Sequence, residues 1–265
     1  MIEKVYDGKG IGKLLLISGV HGNEYTPIEA LFQLEKDSEY LNNLLEIYEK
    51  ITFLHAVNEH GIKNNIREYN GNTDLNRIFG NDLLREKLIS QIELADYIID
   101  VHASNNCTEF VLINNDNFVK DYVDFCIKND IKYAVWEGSR NTIKSHSTHN
   151  NKIAFTVECD GIGTVNHKSL LRVMKVIKKI SLTKMKKINN NPTFDEKYIL
   201  QTVTSEHDGF LVWTTKNNFF IRGCDGEILQ MTEINEDMST IILRNNSGYI
   251  KKNDYLYQYQ INLSA

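Results

Sequence analysis

The sequence predicts an α/β protein: a mixed, mostly parallel sheet with helices on both faces, followed by a small C-terminal all-β domain. Three observations predict it. Apolar runs of strand length recur at residues 14–17, 51–57, 97–101 and 153–157 and read as buried strands. Helical patterns alternate with these runs, as they do where crossovers join parallel strands. Beyond the polar linker that ends in Asn191-Pro192, the pattern changes to short runs punctuated by Asp208-Gly209, Asp225-Gly226 and Ser247-Gly248, the signature of a small β unit. The expected domains are 1–188 and 189–265.

Composition narrows the classes of partner. Lys+Arg total 30 against Asp+Glu 35, a net charge of -5, which argues against nucleic acid or an anionic membrane surface as partner. The lysines between Lys175 and Lys187 read as the solvated face of a helix and a linker. Cys107, Cys126, Cys159 and Cys224 form no CxxC pair and suit a reducing compartment. No window approaches the roughly 18 apolar residues of a membrane span. Met1-Ile2-Glu3-Lys4 enters the first strand without a basic or cleavable leader, so a cytoplasmic protein is expected. An oligomer is compatible with all of this.

The elements follow in order. Residues 14–17 form a strand that ends in the loop Ser18-Gly19-Val20-His21-Gly22-Asn23-Glu24. Thr26 is the expected N-cap of the next helix, with Pro27 at its first position and Glu29 completing a capping box. That helix extends over 28–50, with a break near Asp37-Ser38. Residues 51–57 are the second strand, with His55 inside it as a core histidine. The polar stretch 58–80 reads as a functional loop carrying Arg67 and Asp74-Leu75-Asn76-Arg77. A helix over 82–95 leads into the strand 97–102, which ends in Asp100-Val101-His102. Strands at 110–113 and 131–136 flank a helix at 117–128, and a loop rich in Ser, Thr, Asn and His fills 137–151. Residues 153–157 form a strand with Glu158 at its end, and 166–180 an amphipathic helix.

Three separate strands thus end in chemistry-bearing side chains: His21 with Glu24, His102, and Glu158. Parallel strands bring such ends to one edge of a sheet, where open α/β proteins place their ligands. Two histidines and a carboxylate make a zinc set with one position left for water. Asp100 shares a strand face with His102 and could support that ligand or cap a neighbouring loop. His146 and His149, three residues apart, read as part of a polar loop.

His-Gly-Asn-Glu at 21–24, Asp-Leu-Asn-Arg at 74–77, Asp-Val-His at 100–102 and Val-Glu at 157–158 together resemble the succinylglutamate desuccinylase and aspartoacylase family, which is related to the zinc carboxypeptidases. The match runs in order through most of the first 165 residues. His207-Asp208-Gly209-Phe210 is similar to the β domain these enzymes append. The resemblance implies a zinc carboxypeptidase-like fold and hydrolysis of the amide bond of a small-molecule N-acyl amino acid. It implies one Zn²⁺ per chain on His21, Glu24 and His102, and Glu158 as the base that takes water's proton and passes it to the leaving amine. Asn76 and Arg77 then hold the substrate's α-carboxylate. Arg67 is the candidate for the oxyanion, and Arg140 for a second acidic group of the substrate. A carboxypeptidase acting on small peptides, and a non-catalytic module that binds metal or ligand, are the alternatives. The acyl group and the amino acid are not legible here, because one methylene changes binding by only about 1 to 3 kcal/mol.

Overall fold

The computed structural model describes residues 1–70, 73–77, 83–105, 108–114, 118–136, 142–150 and 152–185, and the strands between 200 and 261. Two compact units divide the chain, residues 1–104 with 108–194 and residues 105–107 with 195–265.

The first unit opens with β1 (Ile2–Asp7) and β2 (Lys13–Ser18), then α1 (Tyr25–Lys36), α2 (Ser38–Ile47), β3 (Lys50–His55) and α3 (Glu59–Asn64). It continues through α4 (Leu83–Leu94), β4 (Tyr97–Ser104), β5 (Phe110–Asn114), α5 (Val119–Lys128), β6 (Tyr133–Trp136), α6 (Ile143–His149), β7 (Ile153–Asp160) and α7 (His167–Thr183). The strands form one sheet in the order β1-β3-β2-β4-β7-β5-β6. Pairings β3/β2, β2/β4, β4/β7 and β5/β6 are parallel; β1/β3 and β7/β5 are antiparallel. The sheet is therefore mixed and mostly parallel.

Burial follows from that order. In central β2, Leu14, Leu15, Leu16 and Ile17 are all within 1% of complete burial, because both faces are covered. On one face Leu15, Ile17, Leu54 and Ile98 pack with Leu88 and Ile92 of α4 and Ile143 of α6. Helices α1 and α7 pack against each other and against the sheet. Edge strand β1 is exposed along its length and carries Glu3 and Lys4, which discourage pairing with a further strand.

The break expected near Asp37-Ser38 is present: the stretch 28–50 holds two helices, and Asp37 ends one and starts the other. Its backbone N–H closes α1 on Gln33 O, and its side chain accepts from the Tyr40 N–H at 3.1 Å to cap α2. Thr26 is not the cap of α1. The helix begins at Tyr25 with Glu24 at its N-cap, two residues earlier than expected, and Thr26 Oγ1 instead accepts from the Asn166 N–H at 2.9 Å. Two stretches expected as loops hold helices: α3 within 58–80 and α6 within 137–151. Both are capped by their own polar residues. Asn58 Oδ1 accepts from the Gly61 N–H, and Thr142 and Ser145 form a reciprocal capping box. Strand β7 runs on through Glu158 to Asp160.

His55 is fully buried, stacked on Phe32 with ring centroids 4.2 Å apart and bonded through Nε2 to Glu35 at 2.8 Å. Lys178 and Lys179 of α7 meet Asp37 and Asp130. No helix among the described residues is long and apolar enough to cross a membrane.

The second unit contains β8 (Leu200–Thr204), β9 (Gly209–Trp213), β10 (Asn218–Arg222), β11 (Ile228–Glu233), β12 (Ser239–Arg244), β13 (Gly248–Ile250) and β14 (Tyr255–Ile261). They pair antiparallel in two sheets, β11-β10-β9-β13 and β12-β14-β8. His207 and Asp208 lie outside the described residues.

Candidate active site

The carboxyl ends of β2, β4 and β7 carry the candidate site. β2 delivers its chain into the loop that holds His21, and Glu24 follows as the residue that starts α1. That loop is tightly seated. A Cβ on Gly22 would lie 2.1 Å from the backbone carbon of Gly61, so only glycine lets it rest against α3. The Gly22 N–H donates to Arg67 O at 3.2 Å, and the Gly163 N–H donates to Asn23 O at 2.7 Å. Glu24 also bridges to Ile162, which ties the turn after β7 to the same loop.

His21, Glu24 and His102 converge. His21 Nδ1 lies 2.7 Å from Glu24 Oε1, and His102 Nδ1 lies 3.1 Å from both His21 Nδ1 and Glu24 Oε2. All three are buried to within about 2% of complete burial. Among the described residues they are the one group of this kind that could hold a metal ion. With each Nε2 protonated toward its carboxylate, two neutral imidazoles turn Nδ1 lone pairs toward each other, and both lone pairs can point at one cation. Tetrahedral bonds of 2.0–2.1 Å to nitrogen have edges of about 3.3 Å, close to the spacing found here. The donor set therefore fits Zn²⁺.

The far side of each ring is held by a carboxylate. His102 Nε2 lies 2.7 Å from Asp100 Oδ2, and His21 Nε2 lies 3.1 Å from Asp74 Oδ1. A proton on each Nε2 leaves each Nδ1 lone pair free to bind a metal. The Ala103 N–H donates to Glu24 Oε2 at 2.9 Å and fixes the carboxylate's second oxygen. Burial alone would raise the pKa of Glu24, but the His21 and His102 imidazoles outweigh it and hold the carboxyl well below the usual range. Asp74 is lowered in the same way, burial being overcome by His21 and Arg67. Burial would lower the pKa of His102, yet Asp100 and Glu24 raise it well above the usual value. Three carboxyl groups around two imidazoles make a pocket suited to a divalent cation.

Glu158 is the register partner of His102 across the parallel β4/β7 ladder. Paired residues project from the same sheet face with strands about 4.8 Å apart, so the carboxylate stands beside the ligand group. Ser104 Oγ, two residues past His102 on that face, donates to Glu158 Oε2 at 3.1 Å. Burial and the charge of Glu24 push Glu158 up to about 7, against the pull of His102 and Ser104.

The remaining candidates surround this core. Arg67 Nη1 lies 3.4 Å from Glu24 Oε1, and its Nη2 lies 3.7 Å from Asp74 Oδ2. Asn76 Nδ2 lies 3.3 Å from His102 Nε2. Arg77 donates to Asn76 O at 2.8 Å and keeps its guanidinium about half exposed. Arg140 lies outside the described residues, as does the side chain of His149, while His146 contacts Asn150. Sequence reasoning gave no role to Asp74 or Ser104. Ser104 has the even spacing from His102 that places both on one face of a strand, a readable signal. Asp74 turns back on the Asn76 N–H at 2.8 Å, a local turn that Asp-x-Asn favours, but its contact with His21 spans 53 residues.

Comparison with known proteins places this arrangement. No curated protein matches the chain significantly. Among solved structures, the succinylglutamate desuccinylase/aspartoacylase from Rhodobacter sphaeroides is similar, with a TM-score of 0.74 and 18% identity over 98% of this chain and 88% of that one. The product-bound ectoine utilization protein EutE (DoeB) from Ruegeria pomeroyi gives 0.74 and 17%, over the same shares. The succinylglutamate desuccinylase from Chromobacterium violaceum gives 0.60 and 16%, over 97% of this chain and 87% of that one. At such identities these likenesses establish the fold. The family model of the succinylglutamate desuccinylase/aspartoacylase catalytic domain matches residues 11–183, a span that begins just before β2 and ends with α7. With its sheet, its convergent strand ends and that match in agreement, the chain belongs to the succinylglutamate desuccinylase/aspartoacylase family.

Proposed function

We propose that this protein is a zinc-dependent hydrolase that cleaves the amide bond of a small N-acyl amino acid. The observation that carries the reading is the convergence of His21, Glu24 and His102 on one point, with Glu158 beside them on the next strand. Zinc held by these three residues would supply a Lewis acid for the scissile carbonyl and for water.

The chain's own residues supply the rest. Glu158 accepts a proton from the attacking water as its oxygen bonds to the carbonyl carbon, then returns that proton to the amine nitrogen as the C–N bond breaks. Ser104 holds the carboxylate in line by its hydrogen bond to Oε2. The Arg67 guanidinium, within 4 Å of both Glu24 and Asp74, would meet negative charge developing on the carbonyl oxygen. Asn76 and Arg77 receive the substrate's α-carboxylate, the arginine through its planar fork of donors.

The test is a hydrolysis screen of N-acetyl, N-formyl and N-succinyl amino acids with zinc-loaded protein, scored by release of free amine. Wild type is expected to cleave at least one, and Glu158→Gln to retain zinc while losing activity by at least 10²-fold. Robust cleavage of peptides in place of acyl amino acids would turn the reading to a carboxypeptidase. Absence of zinc from purified wild type, or unchanged metal content in His102→Ala, would overturn the ligand assignment.

A further inference from the structure

Helix α6 is unusual for what it buries. Lys144, Ser145, Ser147 and Thr148 are each 5% exposed or less, and Ile143 is the helix's single apolar residue. Buried polar groups are costly unless satisfied, and these are satisfied almost wholly by the protein backbone. Ser147 Oγ donates to Ile143 O at 2.7 Å, Thr148 Oγ1 to Ser145 O at 3.1 Å, and Ser145 Oγ to Thr142 O at 2.9 Å. The Lys144 ammonium donates to Leu112 O of β5 and lies 5.1 Å from the centre of the Tyr122 ring. It is thereby anchored on β5 and α5.

The first N–H of this helix has another role. Ile143 N donates to Asn76 Oδ1 at 3.1 Å, a contact between segments 67 residues apart. An N–H can bond only to the oxygen of an amide, so the donor fixes which way the Asn76 amide faces. Its NH₂ group then points toward His102, 3.3 Å from Nε2. That ring nitrogen is itself engaged with Asp100 at 2.7 Å and, as a donor, cannot accept from the amide. Among the described residues the Asn76 NH₂ group has no other acceptor contact, which leaves it for an acceptor that enters the site.

We propose that the Ile143 N–H, held in place by α6 and its anchor Lys144, is the positioning group that makes Asn76 a hydrogen-bond donor toward the carboxylate of the substrate. The proposal rests on the function proposed above and names the device that orients its carboxylate clamp. Lys144, held on β5 and against the Tyr122 ring, would serve the site from behind α6.

The backbone allows a clean test. Ile143 is the first residue of α6, where proline is tolerated, and Thr142 before it has φ -89° and ψ 164°, the extended conformation that a residue preceding proline adopts. Ile143→Pro removes the donor and keeps an apolar ring; Ile143→Ala removes the side chain and keeps the donor. The first readout is the side-chain amide signal pair of Asn76 in asparagine-labelled protein, assigned by its loss in Asn76→Ala. The pair should move in Ile143→Pro and Lys144→Met and stay in place in Ile143→Ala. The second readout is kinetic: KM for the best substrate of the screen rises about threefold to tenfold in Ile143→Pro and in Lys144→Met, with kcat within about twofold. On an Asn76→Ala background Ile143→Pro adds nothing further. Amide signals unmoved in Ile143→Pro, a loss confined to kcat, or additive effects with Asn76→Ala would overturn the proposal. Should melting show that Ile143→Pro is unfolded, Lys144→Met carries the same two readouts. A wild type that hydrolyses nothing counts against the function alone, and the amide signals then decide this proposal by themselves.

Discussion

The ring nitrogens that face away from the proposed metal position show how single side chains set the chemistry. Asp74 and Asp100 each face the Nε2 of one histidine, and with Nε2–H donating to the carboxylate each Nδ1 presents a lone pair. Asp74→Asn is expected to weaken zinc affinity about 10- to 100-fold without unfolding the protein, measured by chelator competition. As the proposed base, Glu158 would act only when ionised. With its pKa raised to about 7, kcat/KM should fall with unit slope as pH drops through that range, and a bound divalent cation should draw the limb lower. A profile with no acid limb would refute the assignment of this base. His55 offers a test of stability alone. Burial lowers its pKa, although Glu35 pulls the other way, so the folded state disfavours the charged ring. Its share of stability is intact above the unfolded pKa of about 6.5 and is lost as pH falls from there toward the folded value. In His55→Phe, whose ring can stack on Phe32 in the same manner, the urea midpoint should change less between pH 7.5 and 5.5 than in wild type. His21, Glu24, His102 and Glu158 were legible in the sequence because each stands at the end of an apolar run. Asp74 and Lys144 were not, since their partners lie 53 and 32 residues away and no local pattern announces them.

At the scale of elements, apolar periodicity marked what it can mark. β2, β3, β4 and β7 were readable because they bury continuous apolar runs. Helices α3 and α6 escaped for the opposite reason: they are short, and α6 buries hydroxyls bonded to its own carbonyls, so no apolar stripe betrays it. Thr26 misled because its hydroxyl is used by the turn before α7 rather than by α1. The close approach of Gly22 to α3 makes a prediction at this scale. In Gly22→Ala the new methyl would sit 2.1 Å from a backbone carbon, so loop and helix must part. A destabilisation of about 1 to 3 kcal/mol by urea titration, together with weaker zinc binding, is expected.

The whole molecule brings His21 and Glu24 after β2, His102 of β4 and Glu158 of β7, the proposed ligands and base, to one edge of a seven-stranded sheet. Its strand order was not legible, because single apolar runs do not reveal their neighbours, and the antiparallel placement of β5 between β7 and β6 least of all. Such assembly links folding to the metal. Zinc at a hundredfold its Kd should add about 2.7 kcal/mol and raise the melting temperature by roughly 5 to 10 °C, reversed by a chelator. A melting temperature indifferent to chelation would mean that the three residues do not hold a metal in solution.

The pairing of His102 with Glu158 sets their separation by a hydrogen-bonded ladder and not by a loop. Insertions in the turns around the site should leave that separation untouched. For engineering this divides the molecule usefully: segments such as 67–77 and 142–150, with Arg67, Asp74, Asn76, Arg77, Ile143 and Lys144 kept, can be varied to seek new acyl groups, while the proposed pairing of His102 and Glu158 travels unchanged with the sheet. Libraries confined to those segments should vary in substrate range and share one pH profile.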